Sequence, residues 1–452
     1  MKSFLSGLFI CILCFNANAQ TATTPPLGWN SYNCFGSAVH EDEVKANADY
    51  MAQHLKQFGW QYVVVDFLWS YDNPPGSNIG NPFQKRLEDG SYIPWLSMDN
   101  WGRLLPQPNK FPSAFGGKGF KPLADYIHSL GLKFGIHLMR GIPRQAVWAK
   151  TPVMGAPGIT ADMIADTSSV CPWMNQMFGL NMNKPGAQAY LNSLLQLYVE
   201  WGVDFLKVDD LSRPYSIAEV EGYKRAIDQS GRSIVFSLSP GATPVGQAAH
   251  ASKYSNMWRM ADDFWDNWKE ILQMMNYAKQ WEGVGGPGHW PDCDMLQIGK
   301  LSKRGPVGEE RYSRFTEDEL YTHISFWSIY KSPLMIGGNL PENRDIDLRL
   351  LTNDEVLAVN QQGENPKQIS KTDSSMIWIS QGPGSAAIYV AMFNTGNNSA
   401  TVAFNFISAG LKGKLTVRDL WKKTDLGMFK NQFSQKINAH GSLLLKITGK
   451  AS

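Results

Sequence analysis

Between about residues 24 and 340, short apolar runs alternate with amphipathic stretches, and this rhythm is the strongest constraint on the fold. Strand-like runs fall at PLGWNSYN (26–33), YVVVDFLW (62–69), KFGIHLM (133–139), VDFLKVDD (203–210), SIVFSLSP (233–240), MWRMADD (257–263), GPGHWPDCDML (286–296) and SPLMIGG (332–338). Helix-like stretches such as EDEVKANADYMAQHLKQFG, PGAQAYLNSLLQLYVEWG and TEDELYTHISFWSIY lie between them, and several end in Gly, as helix C-termini do. Eight strands with crossover helices fit an α/β fold of the (β/α)₈ barrel type. An open doubly wound sheet is the alternative, but no Gly-rich phosphate loop follows the first strand. Past residue 362 the period changes to two, in SMIWISQG, SAAIYVAMFN, ATVAFNF, GKLTVRDLW and GSLLLKIT, with Gly and Asn between the runs. The expectation is a barrel over 20–361 and an antiparallel β domain over 362–452.

The first 19 residues read as a cleaved export leader. Lys2 supplies the positive start, Phe4 to Phe15 the apolar stretch and Ala17-Asn18-Ala19 the small-x-small cleavage site. The expected location is the periplasm or the exterior. No later stretch is apolar enough for long enough to span a bilayer. A net charge of +2 with 18% charged residues points to neither a nucleic-acid nor a membrane-surface partner. Two of the five Cys leave with the leader, so among Cys34, Cys171 and Cys293 at least one thiol is unpaired, and their spacing is no zinc pattern.

Two strand-like runs end in carboxylates. In VDFLKVDD, Phe205, Lys207 and Asp209 share one face while Leu206 and Val208 share the other. The apolar pair belongs outside, against helices, so Lys207 and Asp209 point into the barrel near the strand's C-terminal end, where this fold keeps its active sites. A cation beside a buried carboxylate keeps it ionised, as a nucleophile requires. By the same parity Asp263 enters the site with Arg259, and Asp262 goes to capping a loop or helix. Two such carboxylates are the minimal equipment for breaking a glycosidic bond. Asp66, set in an apolar run, is costly to bury without purpose.

The ordered set TPPLGWNSYN, VVVDFLW, GLKFGIH, DFLKVDD, SIVFSLS, NMWRMADD, GGPGHWPDCDML, SPLMIGGNL, NDEVLAVNQ, DLWKKTDLG and AHGSLLLKI resembles glycoside hydrolase family 27, the α-galactosidase and α-N-acetylgalactosaminidase family, over nearly the whole mature chain. The resemblance implies a barrel followed by a β-sandwich and a retaining mechanism without metal or organic cofactor. It places Asp209 on the nucleophile and Asp263 on the acid/base. It also implies that Asp66 binds the galactose 4- and 6-hydroxyls, Lys207 the 3- and 4-hydroxyls, and Arg259 and Asp294 the 2-hydroxyl side. Tyr32 stands where the family usually has Trp, beside Trp29. A carbohydrate with a terminal galactose-configured sugar is the expected partner; nothing in the sequence bears on the oligomeric state.

Four departures bear on the sugar. Phe67 replaces the second of two aspartates usual after strand two, which favours a sugar lacking the exocyclic carbon, such as β-L-arabinopyranose. Ser239 and Ala242 resemble the small residues that give room to a 2-acetamido group. His137, often Tyr in the family, either binds sugar or satisfies a core bond. Leu211 replaces a cysteine that the family often bridges to one after strand three, so Cys171 is expected to be a free thiol. The first expectation is therefore an exo-acting α-galactosidase. A β-L-arabinopyranosidase or α-N-acetylgalactosaminidase follows, then a transglycosylase or an inactive sugar-binding protein, the last disfavoured by retention of both carboxylates.

Overall fold

A computed structural model describes residues 21–72, 83–383 and 387–449; the leader expected at 1–19 lies outside them. The eight expected strands form as β1 (Leu27–Asn30), β2 (Tyr62–Val65), β3 (Lys133–Met139), β4 (Phe205–Asp209), β5 (Val235–Leu238), β6 (Met257–Arg259), β7 (Trp290–Asp292) and β8 (Leu334–Ile336). Each pairs in parallel with its sequence neighbour, and β1 also pairs with β8. The remaining seam closes just beyond β7, where Leu296 N donates to Met335 O and Gly337 N to Leu296 O, at 2.7 and 2.9 Å.

Strand parity governs the packing. Tyr62, Val64, Phe205, Val235, Met257, Met295 and Met335 fill the barrel interior. Their neighbours Val63, Val65, Leu206, Val208 and Trp258 face outward into the large core shared with the helices. Space inside is tight: a Cβ on Gly135 of β3 would stand 2.8 Å from Phe205 Cβ, so glycine is required there. Crossover helices include α1 (Glu41–Tyr50), α2 (Lys121–Ser129), α3 (Ala187–Trp201), α4 (Ile217–Ser230), α5 (Ala248–Tyr254), α6 (Trp268–Gln280) and α7 (Glu317–Tyr330). Helix α3 stops at Gly202, whose φ of 87° is one that glycine takes without strain.

The stretch between β3 and α3, expected as a long loop, is more regular. A helical turn (Ala161–Ile164) leads into an antiparallel hairpin, Ala165–Cys171 with Met174–Leu180. Pro172 and Trp173 form its tip.

The last helix, Asp354–Gln362, is followed from Glu364 by strands alone apart from one short helical turn at Phe406–Ala409. Six strands form one antiparallel sheet, and Ala400–Asn405 with Gln432–Ile437 form a second. Ile377, Ile379, Val390 and Met392 pack between the sheets, while the alternate residues Met376, Trp378, Ala391 and Phe393 join the barrel's core. Helix α7 fills that junction. From Thr322 to Tyr330 every residue is buried, and the Phe326 ring lies edge-on to both Trp378 and Phe393. A helix buried on all sides gains little from amphipathicity, and α7 starts from a capping box in which Thr316 and Glu319 satisfy each other's backbone N–H.

Candidate active site

The C-terminal ends of the strands open onto a cavity of about 430 Å³, a size suited to a small-molecule ligand. Asp209, the last residue of β4, lies at its floor, and Asp66, just past β2, lines it alongside Lys207. Lys207 Nζ sits 2.9 Å from Asp66 Oδ2 and 4.0 Å from Asp209 Oδ1. Asn30 Nδ2 also donates to Asp66 Oδ2, at 2.7 Å, and Phe67 N to Oδ1, at 2.9 Å. Burial opposes the charge on all three groups, but the pairing outweighs it. Asp66 is held well below the carboxylate range by Lys207, His137 and its two donors. Asp209 is lowered by His137 and Lys207, and Lys207 is raised by Asp66 and Asp209. The pairing thus favours the charged form of all three groups.

Asp263 lies four residues beyond the end of β6, in a loop where strand parity no longer applies. It still turns toward Arg259, whose Nη1 and Nη2 each lie 3.3 Å from its Oδ1. Its side chain is 42% exposed, at the mouth of the cavity and open to solvent protons. Asp262 does not cap a helix: it pairs with Arg213 at 2.8 and 3.1 Å across the rim, and Asn267 caps α6 instead. Both Asp262 and Arg213 line the cavity, as do Pro240 and Gly241.

The remaining wall is aromatic. The Phe67 ring meets Tyr32 edge-on at 5.8 Å, His137 at 5.7 Å and the hairpin-tip residue Trp173 at 6.4 Å. Burial and the surrounding carboxylates push the Tyr32 phenol upward, so it stays neutral. Trp173 is 45% exposed and stands at the rim. His137 does not line the cavity; it is 2% exposed and lies behind the Phe67 ring, with Nε2 2.9 Å from Asp209 Oδ2.

Three expected sugar contacts sit one layer deeper. Ser239, Arg259 and Asp294 surround a separate interior void of about 20 Å³ with Asn30, Asp292 and Met295. The Ser239 hydroxyl has no hydrogen-bond partner among the described residues. Arg259 Nη2 lies 2.9 Å from Asp294 Oδ2 and ties this layer to Asp263. Burial raises the Asp294 carboxyl to about 7 against the pull of Arg259. Trp29 is core, with Nε1 donating to Gly338 O at 2.8 Å.

Behind Asp209 the next carboxylate faces away, as parity requires. Arg140 Nε lies 2.9 Å from Asp210 Oδ2 and Nη1 2.8 Å from Glu219 Oε1, so one guanidinium serves two buried acids. Arg140 Nη2 also donates to Ser169 on the Trp173 hairpin, at 2.9 Å. Cys171 touches Asp210, and Cys34, Cys171 and Cys293 are all free and buried. Leu211 is buried among apolar side chains, and Cys171 meets this ion network rather than a second thiol.

The sequence missed Pro172, Trp173, Asp210, Arg213, Pro240, Gly241 and Asp262. All seven lie in connections after strands, where no periodicity reports which way a side chain turns.

Comparisons with known proteins agree with this architecture. Residues 179–362 match the family described as alpha galactosidase A, and residues 372–447 the alpha galactosidase C-terminal beta sandwich domain. A β-L-arabinopyranosidase of family 27 from Geobacillus stearothermophilus is 47% identical, with a TM-score of 0.90 over 95% of this chain and 98% of that one. A Bacillus halodurans structure described as a candidate α-N-acetylgalactosaminidase is 42% identical, with a TM-score of 0.84 over 96% and 99%. The α-galactosidase of Cyamopsis tetragonoloba is 28% identical over 94% of this chain and 86% of its own length. With its barrel, its sandwich and its pair of carboxylates at the strand ends, the chain belongs to glycoside hydrolase family 27.

Proposed function

We propose that the protein is a retaining exo-glycosidase whose preferred terminal sugar is β-L-arabinopyranose. The observation that carries this reading is the Phe67 wall. The family's usual second aspartate would accept a hydrogen bond from a 6-hydroxyl. Here a phenyl ring, backed by His137 and flanked by Tyr32 and Trp173, offers no acceptor and takes up the space. β-L-Arabinopyranose has the ring stereochemistry of α-D-galactose without the exocyclic carbon. The Asp66–Lys207 pair, suited to the ring hydroxyls that both sugars share, is retained. The 47% identical structure from Geobacillus stearothermophilus is a β-L-arabinopyranosidase, and another structure of that enzyme holds arabinose. α-Galactosides, the first expectation from sequence, become the weaker substrates. An α-N-acetylgalactosaminide ranks last, because the void beside Ser239 has room for about one water and none for an acetamido group.

In this mechanism Asp209 attacks the anomeric carbon as the bond to the leaving oxygen breaks, and Asp263 gives that oxygen its proton. Asp263 then takes a proton from water, which attacks the same carbon and releases Asp209 as a carboxylate. Carboxyl groups about 5–5.5 Å apart would match a retaining enzyme. The N-terminal leader supports action outside the cytoplasm.

Initial rates on aryl β-L-arabinopyranoside, α-galactoside and α-N-acetylgalactosaminide test the assignment. Arabinopyranoside should give the highest kcat/KM. A galactoside cleaved more efficiently than the arabinopyranoside would overturn the sugar preference, and no cleavage of any of them would overturn the enzyme reading.

A further inference from the structure

His137 makes the closest side-chain contact to Asp209. Nε2 lies 2.9 Å from Oδ2, in a geometry too bent for a well-formed hydrogen bond, while the ammonium of Lys207 stands 4.0 Å from the other oxygen. Asp209 Oδ1 is buried yet receives no hydrogen bond from any described residue. The two oxygens of one carboxylate therefore sit in different surroundings: Oδ1 is shut away from the cavity, and Oδ2, against the imidazole, is the oxygen left open to it.

The imidazole is itself fixed. It lies on β3 directly beside Lys207 in the parallel register, and Trp69 Nε1 donates to the His137 carbonyl at 2.6 Å. The Phe67 edge covers it on the cavity side, so it has no line to a sugar hydroxyl. Phe67 also presents nothing that competes with Asp209 for the ring nitrogen.

We propose that His137 is a positioning residue for the nucleophile, its imidazole fixing the Asp209 carboxylate so that Oδ2, the oxygen left open to the cavity, faces the anomeric carbon. This rests on the assignment of Asp209 as nucleophile in the function proposed above. Attack by Oδ2 forms the ester bond as the bond to the leaving oxygen breaks, and Oδ1 becomes the ester carbonyl oxygen. Water attack then returns the electron pair to the carboxylate, and the contact with His137 stabilises it as it leaves. Both halves of the reaction depend on the imidazole.

Other charges face Asp209 from every neighbouring element. Asp66 comes from the end of β2, Lys207 from β4 itself, and Arg259 and Asp263 from β6 and its loop, with the Tyr32 phenol following β1. Arg140, at the end of β3, is committed to Asp210 and Glu219. Asp66 opposes ionisation of Asp209, while Lys207 and the contact with His137 favour it. Removing the imidazole thus makes Asp209 easier to protonate.

The test uses His137→Phe and His137→Gln, the amide nitrogen of Gln standing near the Nε2 position without a charge. Melting by circular dichroism checks the fold. A 2-deoxy-2-fluoro glycosyl fluoride of the preferred sugar, with peptide mapping, identifies the nucleophile. His137→Phe is expected to lose about 10- to 100-fold in kcat with KM little changed, the scale of a misplaced reacting group. Its acidic limb of kcat/KM should move to higher pH. His137→Gln should recover much of kcat, and this alone decides the matter if the Phe variant does not fold. A loss confined to KM with an unmoved limb would overturn the proposal and make His137 a sugar contact. Label on a residue other than Asp209 would instead overturn the nucleophile assignment, and this proposal with it.

Discussion

Replacing Phe67 is the sharpest check on how this pocket selects its sugar. The ring is 8% exposed and in contact with three other rings, so truncation opens the cavity on one side. Galactose differs from arabinopyranose by one hydroxymethyl group. A group of about methylene size in a fitted pocket is worth about 1–3 kcal/mol, or about 10- to 200-fold in kcat/KM. Phe67→Ala should therefore raise the galactoside-to-arabinopyranoside ratio by about that factor. Phe67→Asp adds an acceptor for the 6-hydroxyl, and hydrogen bonds to charged groups contribute about 1.5–3 kcal/mol. Part of that gain is lost because the new carboxylate would lie beside Asp66. The expected advantage of Asp over Ala is accordingly only about tenfold, at the low end of that range. The structural cost should fall below the roughly 3–5 kcal/mol of a fully enclosed Phe→Ala change, since one face of the ring already fronts the cavity. Comparing two aryl glycosides on one preparation cancels the active fraction. A ratio changed by less than about twofold in both variants would mean that Phe67 does not bound the sugar, and the steric reasoning would fail.

Two further outcomes follow from the same geometry. Asp209→Asn should reduce turnover by at least about 10⁴-fold with an unchanged melting temperature, whereas Asp263→Asn should penalise poor leaving groups far more than activated aryl ones, as seen by varying the phenol. Equal loss across leaving groups would point away from an acid role, and the same pattern in Asp262→Asn would move that role one residue back. The second outcome concerns Glu219, which burial raises from 4.5 to about 7 despite Arg140. Because the folded value exceeds the unfolded one, the associated stability is complete below pH 4.5 and is lost as pH rises through about 7. In Glu219→Gln the melting temperature should fall less between pH 5 and pH 8 than in the parent, and parallel curves would refute a proton on this carboxyl.

Parity made much of the barrel legible because its strands are buried on both sides and their inward faces differ in chemistry from their outward faces. Lys207, Asp209 and Arg259 turn inward for that reason, with Arg259 one layer beneath the cavity. Asp262 was not placed by parity, since the strand ends at Arg259 and the chain turns before reaching it. In the C-terminal domain, Glu364–Lys371 and Thr424–Lys430 carry no regular apolar alternation. Both are edge strands of the six-stranded sheet, with mostly exposed side chains, and so leave no two-residue period to read. His137 remained ambiguous because its role depends on a partner 72 positions away, which only the parallel register brings alongside.

The all-round burial of α7 also dictates an order of assembly. Its outer surface, including Phe326 and Tyr330, is covered by Trp378 and Phe393, which are synthesised after the last barrel strand. Thr322 and Ser325 likewise find partners in His440 and Trp421, close to the end of the chain. A ribosome or an export channel releasing the barrel first therefore releases it with one helix still sticky. A protein cut after Gln362 would keep every described residue that lines the cavity and still expose the apolar face of this helix. The final stretch of chain completes the core of the catalytic half, and the two are best produced, exchanged or engineered as one piece.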